Sequence, residues 1–267
     1  MKQALSKKLI LLVTGATILV AALVFGITKA RSVMNEPKAS ATRLERMPQV
    51  MLWAWERPTD LRFINPKETG VAFLAQSIRL RSGGVEIRPR LQPLDLPADA
   101  SVMAVVRVEA DAVSKPELST QQREKLAGAI ADMATLPHVS NIQIDFDATK
   151  SQRAFYRDVI MAVRRRLPDT VSLSITALAS WCTYDDWLSD LPIDEAVPML
   201  FRMAGDGKQI ARRLDAGDDF IAPPCRHSYG ISTDEPRSSL SSARRLYVFN
   251  PDSWTEDAVR AILESRK

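Results

Sequence analysis

From residue 50 onward, short apolar runs alternate with longer amphipathic stretches. In a strand, residues two apart share a face; in a helix, the apolar positions recur every three to four residues. On those periods Val50 to Arg57 is a strand stopped by Pro58, and Val71 to Ala75 is a second. Ile78 to Arg81 and Val85 to Arg88 alternate about Gly83-Gly84, a hairpin signature. Ser101 to Val108 is a Val-rich run of the kind covered on both faces in a parallel sheet. Asn141 to Asp147 is the fourth main strand, with Ile142, Ile144 and Phe146 on one face and Gln143, Asp145 and Asp147 on the other. Val171 to Ala179, Ala196 to Met203 and Arg245 to Phe249 continue the series, Pro198 being unusual in a strand. The seventh strand is either Phe220 to Ala222 or Tyr229 to Ser232.

Between the strands the period changes to that of helices. Ser119-x-x-Gln122 and Thr149-x-x-Gln152 are capping boxes that open helices to Leu136 and Leu167. A short helix is expected through Asp185 to Leu188, another from Lys208 to Leu214, and a last one capped by Ser253-x-x-Glu256. Eight strands in strand–helix order, one helix replaced by a hairpin, predict a (β/α)8 barrel over 49–267. The alternative is a doubly wound open sheet, which the absence of a G-x-G-x-x-G loop disfavours.

The N-terminus changes the picture. Lys2, Lys7 and Lys8 precede an uncharged run from Leu9 to Ile27, 19 residues. As a helix that run is roughly 28 Å long, close to a bilayer core. Residues 1–28 are therefore expected to be a single transmembrane anchor, or else a cleaved signal segment, followed by a polar linker at 29–48. The expected address is the inner membrane, single-pass, with the barrel in the periplasm or outside the cell. The formal charge of +4 comes from this end: eight of the 36 basic residues and two of the 32 acidic ones lie in the first 46 positions. The remainder is slightly acidic, so nucleic acid is not an expected partner. With two histidines and two cysteines in no metal-type spacing, no metal or cofactor site is expected. In an exported domain Cys182 and Cys225 are expected to pair, more easily if Phe220 to Ala222 is strand seven.

Barrel active sites lie at the C-terminal ends of the strands. The catalytic candidates there are Asp145, Asp147, Glu56, Asp234 and Glu235; the substrate-binding candidates are Trp53, Trp55, Trp181, Arg202 and Asn250. Two neighbouring carboxylates raise each other's pKa, the arrangement glycoside hydrolysis uses, and tryptophans stack on sugar rings. The bland alternatives are that Asp147 and Thr149 cap a helix, that Asp145 pairs with an arginine, and that the tryptophans are core. D-x-D is also a metal-binding pattern in some sugar transferases.

Trp53-Ala54-Trp55-Glu56-Arg57, Ile144 to Ala148, Ser174 to Cys182, Pro198 to Met203 and Gly230 to Pro236 resemble the bacterial family called domain of unknown function 3142, which implies an envelope protein. More distantly, Ile144-Asp145-Phe146-Asp147 is similar to the I-D-x-D-x-E motif of family 18 chitinase-type barrels. The proton-donating Glu of that motif falls on Thr149 here. Two functions are therefore expected in competition: an envelope-anchored hydrolase acting on a glycan, with Asp147 as acid and Asp145 tuning it, or a non-catalytic glycan-binding or scaffold protein on a degenerate glycosidase barrel.

Overall fold

The computed structural model describes residues 43–237 and 240–266. The expected anchor at 1–28 and most of the linker lie outside the described residues; among these, no helix is long and apolar enough to cross a membrane. The compact unit begins at Arg43, earlier than the expected domain start at 49.

Eight parallel strands close on themselves: β1 (Val50–Ala54), β3 (Thr69–Arg81), β6 (Val102–Ala110), β7 (Val139–Asp145), β8 (Ser172–Leu178), β9 (Glu195–Met199), β10 (Ser228–Ser232) and β11 (Arg245–Phe249). Each pairs with the next, and β11 returns to β1. This is the expected (β/α)8 barrel. Helix α1 (Thr120–Ala131) precedes β7, α2 (Arg153–Arg166) precedes β8, α3 (Ala179–Tyr184) precedes β9, α4 (Gly207–Asp215) precedes β10, and α5 (Glu256–Glu264) follows β11.

The hairpin partner β4 (Gly84–Pro89) pairs antiparallel with the upper half of β3. The short strands β2 (Thr59–Asp60) and β5 (Leu94–Asp95) pair with each other beside it. Beyond the one helix expected to be missing, the β1–β3 and β10–β11 connections also carry no α-helix among the described residues.

Strand alternation sorts the side chains into two cores. Leu52, Ile142, Ile144, Leu173, Ile175 and Val248 face outward and pack under the helices, with Leu126, Ile130, Tyr156, Val159 and Val163. Met51, Trp53, Met103, Val105, Val197 and Tyr247 fill the barrel. The interior is proved by hydrogen bonds between strands that are not neighbours. The Trp53 Nε1–H of β1 donates to Gln143 Oε1 of β7 at 2.8 Å. Trp53 fits because β10 places Gly230 beneath it: a Cβ there would sit 2.9 Å from the indole Cη2.

The N-terminal rim is plugged. Leu44 and Met47 are buried in the interior cluster. The Arg43 guanidinium pairs with buried Asp194 at 2.7 Å, and Arg245 donates to the carbonyls of Leu44 and Pro48. Inside, Arg245 faces Glu195 at 3.4 Å, and the Tyr247 hydroxyl donates to the same carboxylate.

Local differences from expectation have local causes. Of the two expected positions for strand seven, the structure takes the second, Ser228–Ser232, while Phe220 and Ala222 are buried packing residues in the helix-side core. The short helix is Ala179–Tyr184 rather than Asp185 to Leu188, where Asp185 instead accepts from the Trp187 N–H. The last helix is capped by Thr255, whose hydroxyl accepts from Ala258 N–H at 3.2 Å, and not by Ser253. β9 accommodates Pro198, which has no N–H to give, by meeting β10 only at Met199.

Candidate functional site

The C-terminal rim holds a cleft of about 480 Å³. Its walls come from strand ends and the loops that follow them. β7 ends at Asp145, which as an alternate residue of Gln143 points into the barrel mouth; Asp147 follows on the same side, and both line the cleft. Phe146 between them turns the other way, buried edge-on against Tyr156 of α2 with centroids 5.1 Å apart. That anchor fixes the direction of both acids.

Asp145 is half-buried and accepts from the Thr176 hydroxyl at 2.6 Å. Burial pushes its pKa up to about 6; the Thr176 hydrogen bond lowers it, the nearby Asp147 carboxylate raises it, and Arg107 lowers it. Asp147 reaches the rim and its surface is exposed, yet the protein packed around it raises its pKa too, partly offset by Arg107. Both carboxyls therefore hold their protons to higher pH than an exposed aspartate does, chiefly because of burial.

A raised carboxylate pKa has a stability consequence. Below the ordinary value of 3.8 both folded and unfolded chains are protonated at Asp145, and the burial costs little. Between about 4 and about 6 the unfolded chain ionises first, so stability falls, and above about 6 the whole penalty is present. Asp145→Asn keeps an acceptor for Thr176 and removes the penalty. It is expected to stabilise the fold at pH 7 by on the order of 2–3 kcal/mol at most, and by little at pH 4, in paired denaturant titrations.

The remaining walls are mainly aromatic and apolar, with a few charged groups between the rings. Phe201 and Phe249 stack with centroids 5.8 Å apart and planes 6° from parallel, and Trp55 meets Phe249 edge-on at 6.5 Å. Trp53 lies deeper, 4% exposed, as the floor. Arg107, in the second half of β6, lies in register with Asp145, 6.0 Å over the Trp55 ring, and pairs with Glu109 at 3.1 Å. Asp206, at the start of α4, is a third carboxylate lining the cleft.

The structure thus brings together Asp145, Asp147, Trp53, Trp55 and Arg202 of the expected residues, and scatters the others. Glu56 faces a separate groove beside β3, accepting from Ser77 at 3.3 Å. Asp234 and Glu235 lie outside the cleft lining and hold Arg202: Asp234 accepts from its guanidinium at 2.8 Å, Glu235 from its backbone N–H at 2.9 Å. Arg202 adopts the left-handed backbone, φ 51°, a strained conformation that these two acids hold in place. Trp181 is buried on the outside of the barrel against Trp187, at 5.1 Å between centroids. Asn250 accepts from Thr233 at 2.6 Å and donates to the Ser253 carbonyl, in a neighbouring depression.

Sequence reasoning missed Arg107, Phe201, Phe249 and Asp206. Three of them are legible in hindsight: Arg107 is a charge late in an apolar run, Phe249 ends β11 and Phe201 follows the end of β9, so the strand-end rule applied to every residue type would have found them. Asp206 stands in a loop and carried no such signal.

Cys182 of α3 and Cys225, just before β10, form a disulfide, with Cα atoms 5.8 Å apart. The pairing does not need Phe220 to Ala222 as a strand. It ties down α3 close to Ala179 and Ser180, which line the cleft.

No family model matches the chain, and no curated protein matches it. Among solved structures it is similar to the chitinase domain of the spore coat protein CotE from Clostridium difficile. That likeness has 13% identity, a TM-score of 0.42, and covers 75% of this chain and 64% of the other. The chain thus spans less than two thirds of that structure, and the barrel stands on its own strand order.

Proposed function

We propose that this barrel is a glycoside-hydrolase-like enzyme that cleaves a cell-envelope glycan by carboxylate acid–base chemistry. The observation that carries the reading is a proton-retaining pair, Asp145 and Asp147, opening into an aromatic-walled cleft at the strand ends. Aromatic faces take the apolar faces of sugar rings, and a carboxyl with a raised pKa stays available as an acid at higher pH than an ordinary one.

In this mechanism Asp147, the accessible member, donates its proton to the glycosidic oxygen as the bond from that oxygen to the anomeric carbon breaks. Water adds to the anomeric carbon, and its proton passes to a second carboxylate. Asp206, which lines the same cleft, is the candidate for that base. Asp145 holds the proton inventory of the pair, and Thr176 sets its level.

The test is a reducing-end assay of the full chain on a panel of soluble envelope and plant glycans. Release from none of them overturns the enzyme. A pH profile adds a sharper check. Activity is expected to fall with rising pH as Asp147 loses its proton, on a limb displaced above that of an ordinary exposed aspartate because burial raises its pKa. Removing the Thr176 hydroxyl removes a hydrogen bond to the ionised form, worth about 1.5 kcal/mol or roughly one pH unit. Thr176→Val is therefore expected to raise the Asp145 pKa by that amount, read by NMR titration of its carboxyl carbon, and not to move the activity limb set by Asp147 upward.

One observation favours the non-catalytic alternative. Thr149, at the position of the family 18 acid, is exposed, and its backbone N–H is bonded to the Gln152 side chain at 2.8 Å, so it belongs to the helix start. Glycan binding without release of reducing ends is the result that selects this alternative. Membership of the domain of unknown function 3142 family, an inner-membrane anchor at 1–28 and a periplasmic or extracellular barrel complete the proposal. The Cys182–Cys225 disulfide supports an oxidising compartment.

A further inference from the structure

Asp145, Asp147 and Arg107 line two cavities, not one. The first, about 480 Å³, extends over β8, β9 and β11 to the aromatic wall. The second, about 500 Å³, extends the other way, over the ends of β3 and β6 and the start of the β7–α2 connection. It exists because β3 and β6 run on past the end of β1, to Arg81 and Ala110, with β4 paired to their extension. Strand alternation turns the apolar side of that extension, Ile78, Leu80 and Val108, into the helix-side core with Leu126. Its other side carries Arg79, Arg107 and Glu109 toward the rim.

The two cavities have different chemistry. The first offers flat rings, with Asp206 and Arg202 among them. The second offers hydrogen-bonding groups: Arg79 and Glu109, paired at 3.1 Å and each still more than a third exposed, with Gln152 and Thr149 opposite in the lining. Donors and acceptors side by side match sugar hydroxyls, which do both. The acids stand at the seam.

Resting on the hydrolase reading above, we infer that the substrate is an internal stretch of a glycan chain. It lies across the acid pair, with one side of the broken bond on the Trp55–Phe249–Phe201 wall and the other in the Arg79–Glu109 cavity. A protein that trims single units from a chain end needs a binding cavity on one side of its acids and a block on the other. Here both sides are open and similar in size.

The test uses the full chain with oligosaccharide ladders, disaccharide to hexasaccharide, of cellulose, chitin and peptidoglycan backbone. Product sizes are followed on the wild type, and binding to Asp147→Asn is followed by calorimetry. Internal cleavage predicts mid-sized early products and an affinity that rises about tenfold or more from disaccharide to hexasaccharide. Arg79→Ala is expected to remove most of that gain, and its unfolding midpoint reports whether the fold survives. Early release of single units with affinity flat in chain length overturns the inference and leaves the hydrolase. Length-graded binding without cleavage supports the two-sided cleft and overturns the hydrolase. Neither binding nor cleavage overturns both.

Discussion

Asp147→Asn is expected to lower glycan hydrolysis by about 10²- to 10⁴-fold, the range over which a positioned general acid contributes. The substitution keeps the shape and removes the acidic proton. Asp147 is exposed at the rim and follows the end of β7, so the fold does not depend on its charge. The check is initial rate against a common glycan, with unfolding curves of both proteins run alongside. Equal rates remove Asp147 from the mechanism. A loss restored by a substrate with a good leaving group, which needs no protonation, assigns it the acid role specifically. The same comparison made on Glu56, Asp234 or Glu235 is expected to give a much smaller effect. Glu56 belongs to another groove, and the two acids after β10 hold the Arg202 loop.

Arg245→Ala is expected to destabilise the fold by about 3–5 kcal/mol, the cost of leaving one partner of a buried ion pair alone. Glu195 is fully buried, Arg245 is 6% exposed, and the pair stands in the barrel interior close to the N-terminal rim. The Tyr247 hydroxyl is then the remaining side-chain donor to Glu195. The arginine also donates to the Leu44 and Pro48 carbonyls, so its loss also removes contacts that hold the plug at the barrel base. Denaturant titration measures the effect, and a change under 1 kcal/mol contradicts it. Arg245→Ala combined with Glu195→Gln is expected to recover part of the loss, because the stranded charge is gone; the plug contacts stay broken.

These two sites differ in how far they can be seen without a structure. The acid pair is legible because both residues close one strand, and a period of two places them on one face whatever surrounds them. The Glu195–Arg245 pair is not legible. It joins residues 50 positions apart, and their meeting depends on β9 and β11 flanking β10 with matched register. The same limit explains the scattered candidates. Asp234, Glu235, Trp181 and Asn250 follow strand ends in the chain, yet a loop's direction depends on what it packs against. Arg202 captures the first two, Trp187 the third, and Thr233 and Ser253 the fourth.

By itself the sequence determined the eight barrel strands but one, most of the helices, the capping boxes and the position of Asp145 and Asp147 on a common face. All of these follow from local periodicity and local hydrogen bonding. It also carried both members of the disulfide, though not the geometry that joins them. The tertiary structure alone decided which acids share the cleft with that pair, that Trp53 is a floor rather than a wall, and that the cleft continues past the acids into a second cavity. Those outcomes depend on barrel closure and on how far β3 and β6 overrun β1, which are sums over long-range contacts and leave no mark in any short stretch of chain.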